Sequence, residues 1–269
     1  MDTRRLEHIV RTPQAATRAQ PLLFVHGAYT GAWCWDEHFL PYFAQHGYAA
    51  HAISLSGHGG SEGRERLDSL RLADYVEDVV TTIDALSAAP VLIGHSMGGL
   101  VVQKVLEQRS VPGAALLCAV PPHGLGPSAM RMLVQQPGLL VTLNALLAGR
   151  EPALEHVREA LFHQPIDHAD LTCYVRRCQP ESARALWDMT AFDLPRPQRM
   201  QQVPLLILGA EHDRLIPPGE VEATGRALGT PAEILPGFGH ALMLEPEWER
   251  AAQRILEWLD LLVPAGAST

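Results

Sequence analysis

Apolar residues in this 269-residue chain gather into short runs, each followed by a longer stretch with helical spacing. Residues 21–25, Ala49 to Leu55, Val91 to Ile93, Ala114 to Val120, Val203 to Gly209 and Ala232 to Pro236 read as strands. Continuous apolar runs of this length suit strands covered on both faces. Between them, Trp33 to Gln45 reads as one helix ended at Gly47. Asp74 to Ser87 sets Val76, Val79, Val80, Ile83 and Leu86 on one face, and Leu100 to Glu107 continues a further helix. Glu247 to Leu262 turns Ile255, Leu256, Trp258 and Leu259 toward a core. The alternation predicts an α/β protein, a mostly parallel central sheet flanked by helices. The rhythm stops between Pro121 and Val203, where helical patterns are broken by Pro137, Pro152, Pro165, Pro180, Pro195 and Pro197. Within that segment Leu139 to Leu147 is apolar on more than one face, so it packs under neighbouring helices or lines a channel.

Composition narrows the function. A formal net charge of −9, with Lys nearly absent, argues against a nucleic-acid partner. Cys34, Cys118, Cys173 and Cys178 show no Cys-x-x-Cys spacing and read as free thiols. The thirteen histidines form neither a His-Glu-x-x-His motif nor a Cys/His cluster, and no metal or other cofactor is expected. No uncharged apolar run reaches membrane-spanning length, and the first ten residues hold no leader-like core. The expectation is a cytoplasmic protein without stable membrane insertion, monomeric or homodimeric.

The chemistry concentrates at Gly94-His95-Ser96-Met97-Gly98, which follows a strand and opens a helix. In that setting Gly-x-Ser-x-Gly is a tight turn that lifts the serine above the sheet edge. A serine hydroxyl needs a base and a group to orient that base. Glu211, His212 and Asp213 follow one later strand and His240 follows the next, so the acid and base fall at strand carboxyl ends, where open α/β sheets place their sites. Asp213 is preferred as the acid because it stands farther along its loop, and His240 as the base. Two backbone donors are needed for an oxyanion: Met97 N–H supplies one, and Ala28 N–H, after His26-Gly27, the other. His26 reads as a loop brace rather than a base.

The ordered set His26-Gly27, Gly94-x-Ser96-x-Gly98, Asp213 and Gly239-His240 resembles the α/β-hydrolase superfamily over residues 20 to 262. Its flavour is similar to bacterial monoglyceride lipases and lysophospholipases. The stretch from His26 to Trp35 is similar to plant methyl-ester esterases and hydroxynitrile lyases. The resemblance implies a Ser96–Asp213–His240 triad with Ala28 and Met97 as oxyanion donors. It implies a hydrolase core over 1–120 and 204–269 and a helical cap over 121–203. Within that segment the apolar Trp187, Met189 and Phe192 are the residues expected to wall an acyl pocket. One departure is Ser54, where relatives commonly carry Asp. The implied activity is cofactor-free hydrolysis of a small-molecule carboxylic ester or thioester with an apolar acyl or alcohol part. A lyase or cofactor-independent oxygenase on the same triad, or a ligand receptor, stays open as an alternative.

Overall fold

The computed structural model describes residues 4–14, 18–126, 150 and 153–262; Leu139 to Leu147 lie outside them. Seven strands form one sheet: β1 (His8–Arg11), β2 (Leu22–Val25), β3 (Ala50–Ile53), β4 (Val91–His95), β5 (Ala114–Leu117), β6 (Leu205–Ala210) and β7 (Ala232–Leu235). Their order is β1-β3-β2-β4-β5-β6-β7, and every neighbouring pair is parallel except β1 with β3. Strands β2, β4 and β5 are buried throughout, which explains their uninterrupted apolar runs. The six other strands appear where the hydrophobic pattern places them; β1 does not. It is a four-residue edge strand with mostly exposed side chains, so it carries no apolar run to read.

Helices cover both faces. Trp33 to Gln45 is two helices, α1 (Trp33–Asp36) and α2 (Phe39–Gln45), instead of the single one expected. Pro41 accounts for the break: its ring would clash with the carbonyl of Glu37 and it has no N–H to donate, whereas the first turn of a new helix tolerates it. Helix α3 (Leu72–Ala85) starts earlier than its apolar face suggests, because the Asp74 carboxylate accepts the Arg71 N–H at 2.9 Å and caps the turn before it. Helix α4 (Met97–Leu106) follows β4 directly. Between β5 and β6 the described helices are α5 (Leu154–Leu161), α6 (His168–Arg177) and α7 (Ala183–Trp187), the last continuing through a π turn at Asp188–Phe192. Helices α8 (Pro218–Leu228) and α9 (Trp248–Leu262) complete the chain, α9 burying Ala251, Ala252, Ile255, Leu256 and Leu259 on one stripe.

The sheet separates two hydrophobic clusters, one around Phe24, Trp35, Phe43 and Ile255, the other around Leu23, Tyr75, Val101 and Ile207. Because the central strands pair in register, with Val25 opposite Gly94 and His95 opposite Leu117, their loops leave along one edge. No described helix is long and apolar enough to cross a membrane.

Candidate active site

Strand β4 ends at His95 and α4 begins at Met97, so the chain turns at Ser96 alone, with φ 53° and ψ −118°. Few residues other than glycine hold positive φ, and those that do sit in surroundings that enforce it. Two glycines permit the turn. A Cβ on Gly94 would lie 2.5 Å from the Gly98 carbonyl oxygen, and one on Gly98 would collide with the carbonyl oxygens of Val25 and His26. Ser96 N–H donates to Leu117 O at 3.0 Å, and Ser96 O accepts from Gly99 and Val120, which bolts the turn to the sheet. Met97 is the first residue of α4, so its N–H has no partner within the helix.

Asp213 and His240, 27 residues apart in sequence, meet at the same edge. His240 Nδ1 lies 2.7 Å from Asp213 Oδ2, and both side chains are buried. Asp213 Oδ1 accepts the N–H groups of Leu215 and Ile216 at 2.8 Å each. With Nδ1–H given to the carboxylate, Nε2 is the ring nitrogen free to take a proton. The two competitors go elsewhere: Glu211 is exposed and accepts Gly237 N–H at 2.9 Å, and His212 stacks on His163 with ring centroids 3.5 Å apart.

Three further residues at this edge, beyond the predicted triad and oxyanion donors, support it. His95 Nε2 donates to the His240 carbonyl at 2.9 Å; burial, then the neighbouring His240, holds its imidazole well below the usual value, hence neutral. Buried Glu245 accepts the N–H groups of Gly239 (2.8 Å), His163 (2.7 Å) and Gln164 (3.1 Å), fixing the loop that carries His240. The Cys118 thiol follows β5, is bonded to the Asp213 carboxylate, and is pushed well up by burial and then by that carboxylate. Among the described residues, Cys118, Asp213 and His240 are also the one set of three metal-capable groups whose ligand atoms lie within 4.8 Å of one another, and the Asp213 carboxylate accepts from His240 Nδ1.

The loop after β2 explains His26. Leu55 N–H donates to His26 Nε2 at 2.9 Å, so the proton sits on Nδ1, which donates to Gly27 O at 2.8 Å. Thr30 Oγ1 donates to the same carbonyl at 3.0 Å. A trans peptide points its C=O and N–H in opposite directions. Clamping Gly27 O on one side therefore aims Ala28 N–H to the other. Burial, then the nearby His58, lowers His26 to about 3, which keeps it a neutral brace.

Ser96, His240, Gly27, Ala28 and Met97 all line one cavity of about 160 Å³. Met189 lines it too. Trp187 and Phe192 do not, contrary to the expectation from sequence: they are 62% and 73% exposed and pack against each other, ring centroids 6.4 Å apart. At 100° per residue, Trp187 and Met189 point to nearly opposite sides, whereas Leu186 and Met189, three apart, share the inner one. The i, i+3 spacing of Leu186 and Met189 carries that inward face in the sequence, and aromatic bulk does not mark it. Aromatic walls are supplied instead by Trp33, Tyr174 and Phe162, with Trp33 and Tyr174 stacked at 5.9 Å.

A family model described as "Alpha/beta hydrolase family" matches residues 22–253. The chain belongs to this family. The monoacylglycerol lipase of Mycolicibacterium smegmatis is 25% identical over 272 residues, covering 95% of this chain and 92% of that protein. Methyl jasmonate esterase 1 of Vitis vinifera is 33% identical over 94 residues, 34% of this chain. The chain covers only about a third of the length of that esterase, 35%. Among solved structures, a bromoperoxidase from Bacillus anthracis superposes with a TM-score of 0.77 at 15% identity, covering 96% of both chains, which speaks to the fold.

Proposed function

We propose that this α/β-hydrolase family member is a cofactor-free serine hydrolase that cleaves a carboxylic ester or thioester through an acyl-enzyme on Ser96. The observation that carries the reading is the strained Ser96 turn sharing a cavity with His240, whose Nδ1 is bonded to buried Asp213. His240 Nε2 takes the Ser96 proton as Oγ attacks the carbonyl, and Asp213 holds the imidazole in the required tautomer and stabilises the imidazolium. Ala28 and Met97 N–H receive the oxyanion. The imidazolium then protonates the leaving alcohol or thiol, and water, activated by the same ring, releases the acid. The cavity walls named above are apolar, so the acyl or alcohol part is apolar. The segment between β5 and β6 supplies Val157, Phe162, Tyr174, Leu186 and Met189 to those walls, and it acts as a cap that sets substrate choice.

A fluorophosphonate probe and a graded panel of p-nitrophenyl esters and acyl thioesters test this. The expected result is ester turnover that labelling of Ser96 abolishes. A protein that neither takes the probe nor turns over any ester or thioester, yet binds apolar ligands, would favour a receptor. Turnover without a trappable acyl-enzyme would favour lyase or oxygenase chemistry.

A further inference from the structure

Glu181 and His58 are both fully buried, stand 123 positions apart, and pair at 3.0 Å through Oε2 and Nε2. The Glu181 carboxylate takes three more donors: Tyr75 Oη and Ser182 N–H on Oε1, each at 2.7 Å, and Tyr29 N–H on Oε2 at 3.4 Å. Burial alone would raise this carboxyl and lower the His58 imidazole, but their mutual attraction wins, and the pair stays ionised. A buried ion pair is weak evidence for stability, since apolar residues of similar volume often serve as well or better. What this one does is join elements that surround Ser96: the loops after β2 and β3, helix α3, and the segment between β5 and β6.

The junction falls on Tyr29, the neighbour of Ala28. Its N–H reaches Glu181 and its carbonyl accepts Gln179 N–H at 2.9 Å, so residues 179 and 181 grip it from both sides. Gln179 Oε1 in turn accepts Gly59 N–H at 2.9 Å. Tyr29 has φ 65°, a conformation that a residue other than glycine keeps only when its surroundings over-determine it. The peptide plane before Ala28 is clamped at Gly27 O, and the plane after it is clamped at Tyr29 N–H. We propose that Glu181, with His58 as its counter-ion, is a positioning residue that holds the Ala28 N–H on the oxyanion; this rests on the acyl-transfer reading above. The segment between β5 and β6 thereby reaches the chemistry as well as the substrate.

The test compares an ester with its thionoester, in which C=S replaces C=O. Sulfur accepts hydrogen bonds weakly, so an intact oxyanion site favours the oxo substrate and a mis-aimed one favours it less. Glu181→Gln keeps the volume but turns one acceptor oxygen into a donor. Its kcat on the ester is expected to fall about 10- to 100-fold, less than the 10²–10³ of a deleted oxyanion donor, with KM moving less than about threefold. The oxo-to-thiono ratio of kcat/KM should fall about tenfold by the same argument. Asp213→Asn, as a control, should slow both substrates together and leave the ratio unchanged. Should Glu181→Gln not fold because His58 is left unpaired, Glu181→Gln/His58→Gln removes both charges and should show the same fall in ratio. A wild-type ratio in either folded variant overturns the positioning role. Undiminished hydrolysis by Ser96→Ala would instead sink the serine-hydrolase reading, so the two failures are distinguishable.

Discussion

The floor of the cavity, made by the loops after β2, β4, β6 and β7, is fixed by imidazoles that must be neutral: His26 on Gly27 O and His95 on the His240 carbonyl. The roof, in the segment between β5 and β6, is fixed by an imidazole that must be charged, His58 on Glu181, and otherwise by apolar packing of Leu186, Met189, Phe162 and Tyr174. Neutral braces work where each ring bonds backbone of strand-end loops already held in register. Among the described residues the roof shares no ladder with the sheet, and a buried charge pair reaches across a long sequence gap to hold it in place. The floor should therefore control the chemistry sharply, and the roof should grade it.

The largest expected effect tests the floor. Ser96→Ala should lower kcat by about 10⁶ while the protein stays folded, and Ser96→Ala/His240→Ala should be scarcely worse, because triad members act as a unit. Ester turnover by purified protein measures both; additive losses would mean that Ser96 and His240 do not share a step.

Next comes the pH dependence of the floor. His26 and His95 are lowered in the folded protein, so unfolding takes up protons below the ordinary histidine value near 6.5, and stability falls as pH drops. Each contributes a slope of up to about 1.4 kcal/mol per pH unit between pH 6.5 and its own folded value, which is about 3 for His26. His58 is raised, so its contribution is full below 6.5 and is lost as pH climbs through its folded value. Urea unfolding at pH 7, 6 and 5 checks this, and a flat profile would show that the floor histidines are not neutral braces.

The smallest effect belongs to the roof. Met189→Ala should shift the chain-length optimum toward longer acyl groups, with kcat/KM changing a few-fold per methylene at about 0.8 kcal/mol each. Trp187→Ala, on the exposed side, should leave the profile unchanged. Reversal of the two results would return Trp187 to the pocket.

The sequence was most readable where structure is local. The Gly94–Gly98 pentapeptide, Asp213 and His240 each sit within a few residues of a buried strand end, so apolar runs locate them. Strand β1 was not readable, since its exposed residues gain their conformation from pairing with β3 some forty positions away. The His58–Glu181 pair has no local signature, because its partners are brought together only by the folded roof. Trp187 and Phe192 face outward because helix phase, set by where α7 begins and how its π turn runs, decides which side chains face inward.

The positive φ of Ser96 has a consequence for how stability and activity trade against each other. Backbone strain of this kind costs about 1–3 kcal/mol, and glycine relieves it while losing roughly 0.5–1 kcal/mol of its own through a floppier unfolded chain. Ser96→Gly should therefore melt above Ser96→Ala, by about 1 kcal/mol of unfolding free energy on those two figures. A screen for thermal robustness alone would then favour glycine over alanine at position 96, although neither side chain carries a hydroxyl that could attack a carbonyl.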